Sequence, residues 1–208
     1  RDESNEATVT ITVNPVNDAP VAMDAWVSTD EDYPVSESLS ASDIDGDSLT
    51  YSIASGPSNG TVELGQGGSG SEFTYTPNTN FNGDDSFTFI ANDGMDSSNT
   101  ATVSVNVDAV NDAPILAFLP DTSMYEDASL GLSIFAADVD NMDLTLEAWS
   151  DNGYVSAEMF DTLLVLSPAE NWSGSAQITV VVNDNMTRAT DSQSFMLTVM
   201  PVNDPPFF

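Results

Sequence analysis

The pentapeptide "VNDAP" stands at residues 16–20 and again at 110–114, and "VNDPP" follows at 202–206. The spacings, 94 and 92 residues, match the length of one small β-sandwich. Internal repetition on this scale predicts two like units in series. Other segments fall into step when the linkers are aligned. "TDEDYPV" (29–35) pairs with "MYEDASL" (124–130), and "ASDIDGDSLTYSI" (41–53) with "AADVDNMDLTLEA" (136–148). "PNTNFNGDDSFTFIANDG" (77–94) pairs with "PAENWSGSAQITVVVNDN" (168–185), and "TATVSVNV" (100–107) with "SQSFMLTV" (192–199). Asp84 and Asp85 are read as standing against Gly174 and Ser175 of the second unit.

Within each unit, apolar residues alternate with polar ones. Phe87, Phe89 and Ala91 precede Val103, Val105 and Val107, and their counterparts are Ile178, Val180 and Val182, then Phe195, Leu197 and Val199. A period of two with Thr, Val, Phe and Tyr predicts half-buried strands. Clusters such as "SGPSNG" and "GQGGSG" predict turns between them. No stretch has helical periodicity. The expected fold is all-β: two tandem immunoglobulin-like antiparallel β-sandwiches of about seven strands each. The expected divisions are 16–110 and 111–202 for the two domains. Residues 1–15 repeat the pattern of 95–109 and read as the last strand of a preceding repeat, with 203–208 starting a further linker. Trp149 and Trp172 are expected in the cores, while Trp26 is left open as a surface aromatic.

The charge is extreme: 34 acidic residues against two basic ones, Arg1 and Arg188, and no histidine or cysteine. The hydrophobic fraction, 40%, is nevertheless enough for a core in each half. A surface this negative repels nucleic acid and anionic membranes. Without His, Cys or Lys, most nucleophile and base constellations are missing. A carboxylate pair could serve a glycosidase, but the acids recur from unit to unit, which argues against catalysis. Lysine–asparagine stapling is impossible, and the Asn-x-Ser/Thr triplets at Asn59, Asn171 and Asn185 carry little weight in an Asn-rich chain.

The recurrence of the acids is the informative part. Asp43 and Asp45 match Asp138 and Asp140, Asp93 matches Asp184, and Glu31 matches Glu126. Asn17 and Asp18 match Asn111 and Asp112. Two short carboxylates in a D-x-D loop repel unless neutralised. Ca²⁺ takes six to eight oxygens at about 2.3–2.6 Å, largely carboxylates and carbonyls, which "DIDGD" and "VND" can supply. The "DIDGDSL" stretch is not an EF-hand loop. Gly46 falls at its fourth position, Ala54 occupies the twelfth, and the flanks are strand-like.

These motifs in this order resemble the cadherin-like tandem repeats of large bacterial surface and secreted proteins, biofilm adhesins among them. The resemblance spans nearly the whole chain and implies a calcium site at each junction between repeats. For the central junction it implies Glu31 from the first unit, Asn111 and Asp112 from the linker, and Asp138, Asp140 and Asp184 from the second. For the upstream junction it implies Asn17, Asp18, Asp43, Asp45 and Asp93. A downstream junction would begin with Glu126, Asn203 and Asp204. Ala109 departs from the family's linker pattern, as does a missing second linker Asn, so one or two ions per junction are expected. Asp47 is a further candidate ligand that Met142 replaces in the second unit. The resemblance implies a calcium-rigidified, extracellular spacer or adhesion segment with neighbouring repeats as its first partners. Polysaccharide, or a second copy of the chain, is the alternative partner.

Overall fold

The structure, a computed structural model, describes residues 5–65, 70–186 and 189–204. The turn segment "GQGGSG", Arg1, Arg188 and the end of the last linker fall wholly or partly outside the described residues. The chain divides into two units, Arg1–Val110 and Asn111–Phe208.

Unit 1 contains β1 (Val21–Met23), β2 (Ala25–Asp30), β3 (Val35–Ser38), β4 (Ser40–Ser42), β5 (Thr50–Ser55), β6 (Gly60–Leu64), β7 (Glu72–Pro77), β8 (Gly83–Asn92) and β9 (Ala101–Asp108). A four-stranded sheet, β2-β9-β8-β5, faces a three-stranded one, β3-β7-β6, and β1 pairs with β4 at the side. The nine segments are seven strands, because the first two are each broken once. Asp24 alone separates β1 from β2, and Leu39 alone separates β3 from β4. At each break the backbone finds a new partner. Asp24 accepts the Thr102 N–H at 2.7 Å, and the Leu39 N–H donates to the Ser71 carbonyl at 2.7 Å while its side chain enters the core.

Unit 2 repeats this plan with β10 (Ile115–Leu116), β11 (Thr122–Tyr125), β12 (Leu130–Ser133), β13 (Ala136–Ala137), β14 (Thr145–Ser150), β15 (Val155–Phe160), β16 (Leu163–Pro168), β17 (Gly174–Asn183) and β18 (Thr190–Met200). Its sheets are β11-β18-β17-β14, β12-β16-β15 and β10-β13. Pairing is antiparallel except at one place in each unit, where the sequence reading is corrected. After its break the first strand runs parallel to the last, β2 with β9 and β11 with β18.

The alternating residues form the cores. Phe73, Tyr75, Phe87, Phe89, Val103 and Val105 are at most 1% exposed in unit 1, as are Leu164, Leu166, Ile178, Val180, Val182 and Leu197 in unit 2. Each large side chain so buried contributes about 1.5–3 kcal/mol. One expectation fails. Trp149 is 47% exposed and lies on the outer face of β14, because Leu146 and Ala148 take the inward positions. Trp172 does pack against the unit 2 core, with its ring stacked on Tyr154 at 5.9 Å. Residues 5–20 form no strand, and Val9, Ile11 and Val13 are more than 80% exposed.

Candidate metal centre

The linker before each sandwich folds back onto two loops of that sandwich. In unit 1 these are the β4–β5 loop, carrying Asp43, Asp45 and Asp47, and the loop after β8, carrying Asp93 and Asp96. The Asn17 carboxamide donates to Asp93 Oδ2 and to Asp96 Oδ2, each at 3.0 Å. The Asp18 N–H donates to Asp45 Oδ2 at 2.8 Å. Asp43 organises its own loop, its Oδ1 accepting the N–H groups of Asp45, Gly46 and Asp47 at 2.9, 3.0 and 3.3 Å. Gly46 takes φ +81°, a left-handed conformation that glycine adopts without Cβ strain, so the loop turns tightly enough to gather its acids. Carboxylate oxygens of Asp43, Asp45 and Asp47 lie within 4.8 Å of one another. At that range two unit charges repel by about 1 kcal/mol even in bulk water.

Unit 2 builds the same arrangement. The Asn111 carboxamide donates to Asp184 Oδ2, and the Asp112 N–H to Asp140 Oδ2 at 2.7 Å. Asp138 Oδ1 accepts the N–H groups of Asp140 and Asn141 at 2.8 and 2.9 Å. Asp184 is fully buried, and its Oδ1 accepts the Met186 N–H at 3.0 Å. The Asn141 carboxamide, absent from unit 1, donates to the Asp184 carbonyl.

A second acidic set lies at the other end of each sandwich, where the last strand finishes. Glu31 is 2% exposed; its N–H donates to the Asp108 carbonyl, and its Oε1 accepts the Val110 N–H at 2.6 Å. Along β9 this set is roughly 25 Å from the first, eight residues at about 3.3 Å each. Glu126 repeats the arrangement in unit 2. It is 6% exposed, takes the Val202 N–H at 2.7 Å, and shares a 4.8 Å cluster with Asp127 and Asp204.

Each unit therefore brings together the linker Asn-Asp pair, its D-x-D pair and the later Asp, and holds its buried Glu apart from them. Sequence reasoning missed Asp96, Asn141 and Asp127. Asp96 and Asn141 escape a search by recurrence, because Thr187 and Gly46 stand at the matching positions. Asp127 matches Asp32, and each uses one oxygen to cap a loop amide, of Asn171 and Asn80 respectively. Asp84 and Asp85 are also reassigned. Strand register sets them against Ser175 and Ala176. Asp85 accepts the N–H groups of Ser58, Asn59 and Ser86 and the Tyr75 hydroxyl, a tie within unit 1 away from the linker. Burial raises its pKa, but these donors outweigh that and hold it below the ordinary carboxylate value.

The electrostatics suit a hard cation. Backbone N–H groups of Asp96 and Met95, then the Asn17 carboxamide, hold the Asp93 carboxyl below its usual pKa, so it is charged at neutral pH. The oxygens Glu31 Oε2, Asp43 Oδ2 and Asp138 Oδ2 are buried and have no hydrogen-bond partner among the described residues. A buried carboxylate oxygen left without a partner is costly. The only two basic side chains of the sequence, Arg1 and Arg188, lie outside the described residues. An all-oxygen set of carboxylates, carboxamides and carbonyls is the donor chemistry of calcium. The residues present fit that ion.

Comparison with known proteins agrees with this architecture. The bacterial Ig domain family matches residues 17–106 and again 111–198. No curated protein matches the chain by sequence. Among solved structures, human protocadherin-24 EC1-2 superposes with a TM-score of 0.61 at 18% identity, over 89% of this chain and 100% of that one. Protocadherin gamma B2 extracellular cadherin domains 1-5 superpose with a TM-score of 0.55 at 20% identity, over 91% of this chain and 40% of that one. An endo-fucoidan hydrolase from glycoside hydrolase family 107 matches at TM-score 0.39 and 20% identity, this chain covering 30% of its length. Among the described residues no helix is long and apolar enough to cross a membrane. Two matched segments covering most of the sequence, each a complete sandwich of the cadherin-like kind, place the chain in the bacterial Ig domain family as a tandem pair.

Proposed function

We propose that these are calcium-binding repeats of an extracellular protein, acting as a spacer or adhesion segment stiffened by calcium at the ends of each repeat. The observation that carries this reading is the set of buried, unpartnered carboxylate oxygens on Glu31, Asp43 and Asp138 in a chain almost devoid of basic groups. In this reading Asn17, Asp18, Asp43, Asp45 and Asp93 hold one centre, joined by Asp96, and Asn111, Asp112, Asp138, Asp140 and Asp184 hold the next. Glu31 and Glu126 contribute from the far ends of their sandwiches.

The bound ion would supply positive charge where carboxylates now face one another. The protein's own part is to fix the donors. Asp43 and Asp138 spend one oxygen each on their loop amides and keep the other directed inward. Glu31 holds the N–H of Val110, and Asp184 holds the carboxamide of Asn111, the very next residue. Neutralising both acids would thus order a linker of few residues, and Pro20 and Pro114 restrict its backbone further. Extracellular calcium modules have dissociation constants of roughly 10⁻⁴–10⁻³ M. At about tenfold excess, mass action contributes about 1.4 kcal/mol per site. That is modest for a domain but sufficient for a hinge.

Isothermal calorimetry tests the reading. Calcium is expected to bind in the millimolar range or tighter, and Asp138→Ala is expected to remove one class of site. Small-angle scattering should show a longer, stiffer particle with calcium than with chelator. A flat titration at millimolar calcium, or identical scattering in both conditions, refutes the proposal.

A further inference from the structure

We propose that the outer face of the four-stranded sheet of unit 2 binds a neutral polysaccharide, with Trp149 as its stacking platform. This goes beyond the calcium reading and does not depend on it.

Three observations carry the inference. First, Trp149 is 47% exposed on the edge strand β14, and its register partner is Thr179, whose own partner is Ser194. The three residues make one row across adjacent strands about 4.8 Å apart, an indole followed by two hydroxyls. The hydroxyls of Thr179 and Ser194 lie 2.9 Å apart and hydrogen-bond to each other, which fixes their orientation. Gln177, two residues from Thr179 on the same outward side, adds an exposed carboxamide.

Second, the charge of this face is out of character with the chain. The sequence has 34 acids and a net charge of −32, yet the outward positions of β14, β17 and β18 carry a single acid, Glu147. Serine, threonine, asparagine and glutamine fill most of the rest, with Val181, Met196 and Met200 as the apolar positions beside Trp149. Glu147 and Asn183 help line a shallow depression of about 140 Å³ beside the tryptophan row. Third, unit 1 is unlike this. Its four-stranded sheet also shows an outward tryptophan, Trp26, 66% exposed, in register with Ser104 and then Ser86. However, the outward positions of that sheet include Asp30, Asp84 and Asp108, and Ala54 stands where unit 2 has Trp149.

The occupant follows from matching chemistry. An anionic polymer is repelled by the overall charge. A basic protein would be drawn first to the acidic ends of the sandwich rather than to a hydroxyl face. A neutral glycan offers apolar C–H faces for an indole and a hydroxyl periphery for Thr, Ser, Gln and Asn, with no charge to desolvate. A flat sheet face suits an extended chain better than a small sugar.

The test is retention of the intact chain on microcrystalline cellulose and affinity electrophoresis through soluble laminarin and xyloglucan, with alginate as the anionic comparison. Each is run with calcium and with chelator. Binding to at least one neutral glycan is expected. Trp149→Ala should weaken it about tenfold, as expected for an aromatic stacking contact near the top of its range, while Trp149→Phe retains part of it and Trp26→Ala changes it less than twofold. Gln177→Ala gives an independent readout should Trp149→Ala disturb the edge strand. Four results overturn the proposal: no retention on any neutral glycan, unchanged binding by both Trp149→Ala and Gln177→Ala, equal loss from Trp26→Ala, or preference for alginate. Self-association abolished by Trp149→Ala would also overturn it, by assigning the face to a second copy of this chain.

Discussion

The acidic centres of the two units start from the same plan and differ in how they manage charge. Unit 1 uses glycine at the tight point of its loop, adds Asp47 and Asp96, and leaves Asp93 only part-buried. Unit 2 puts Asn141 in place of Gly46, has Met142 where Asp47 would be, and seals Asp184 from solvent. The first centre holds more carboxylates. The second holds fewer and ties them down with an extra carboxamide. Ligand charge and site rigidity are the two quantities that set calcium affinity in oxygen-donor sites. The two repeats trade one against the other.

The largest effect that separates the centres is at the later Asp. Asp184 is buried and accepts from the Asn111 carboxamide and the Met186 N–H. Asp184→Ala strands these donors inside unit 2 and is expected to cost about 1–3 kcal/mol even without calcium. Asp93→Ala, in a more open setting, should cost less in calcium-free buffer, its donors being able to turn to water. Chemical denaturation of both variants in chelator checks this. Equal losses would mean that burial does not distinguish the two positions.

A second contrast lies in the cores. Unit 1 contains a polar tie, Tyr75 hydroxyl to Asp85 at 3.0 Å, where unit 2 has Leu166 and Ala176 in the corresponding places. Burial first, then the hydrogen bond to Asp85 and its charge, push the Tyr75 phenol well above its usual 10.0. The folded state therefore favours the protonated phenol. Unit 1 should keep this contribution below pH 10 and lose it as pH rises further, while unit 2 shows no such loss. Tyr75→Phe should remove the alkaline sensitivity at a cost of about 1.5 kcal/mol at neutral pH, near the lower end for a hydrogen bond to a charged group. Thermal melts of unit 1 from pH 8 to pH 11, with and without the substitution, give the answer. An unchanged alkaline slope in Tyr75→Phe rules out this tie as the cause.

The same contrasts explain what was legible in the sequence. Period-two alternation with a repeated linker identifies the sandwiches, because the core strands have to present Phe87, Phe89, Val103 and Val105 on one side whatever the loops do. The recurring acids mark the loops that meet the linker. Three things leave no such trace. The parallel pairing of β2 with β9 depends on where the first strand changes sheet, at a single residue, Asp24. The outward turn of Trp149 depends on strand phase, and Leu146 and Ala148 could fill the core as well as a tryptophan could. Asp85 sits in the same acid-rich background as the centre residues, and only three-dimensional register sends it to Tyr75 rather than to the linker.

The smallest predicted effect is also the sharpest test of the trade between charge and rigidity. Met142 is 99% exposed, so replacing it disturbs no packing. Met142→Asp gives unit 2 the carboxylate that unit 1 has at Asp47, and Asp47→Met makes the reverse change. One added carboxylate about 5 Å from a divalent cation strengthens binding by about 1.7 kcal/mol in pure water, and by about 1 kcal/mol once physiological salt screens the pair, or about fivefold. Calcium affinity at the unit 2 centre should rise by that factor in Met142→Asp, and affinity at the unit 1 centre should fall by a like factor in Asp47→Met. Asn141 already orders the unit 2 loop through the Asp184 carbonyl and the Asp143 carbonyl. Adding charge to a loop already held should therefore give at least as large a gain as unit 1 loses. If titration shows the loss in Asp47→Met but no gain in Met142→Asp, the loop of unit 2 holds residue 142 away from the ion, and rigidity rather than charge sets its affinity. If neither variant moves the affinity, this position lies outside the ligand set in both repeats.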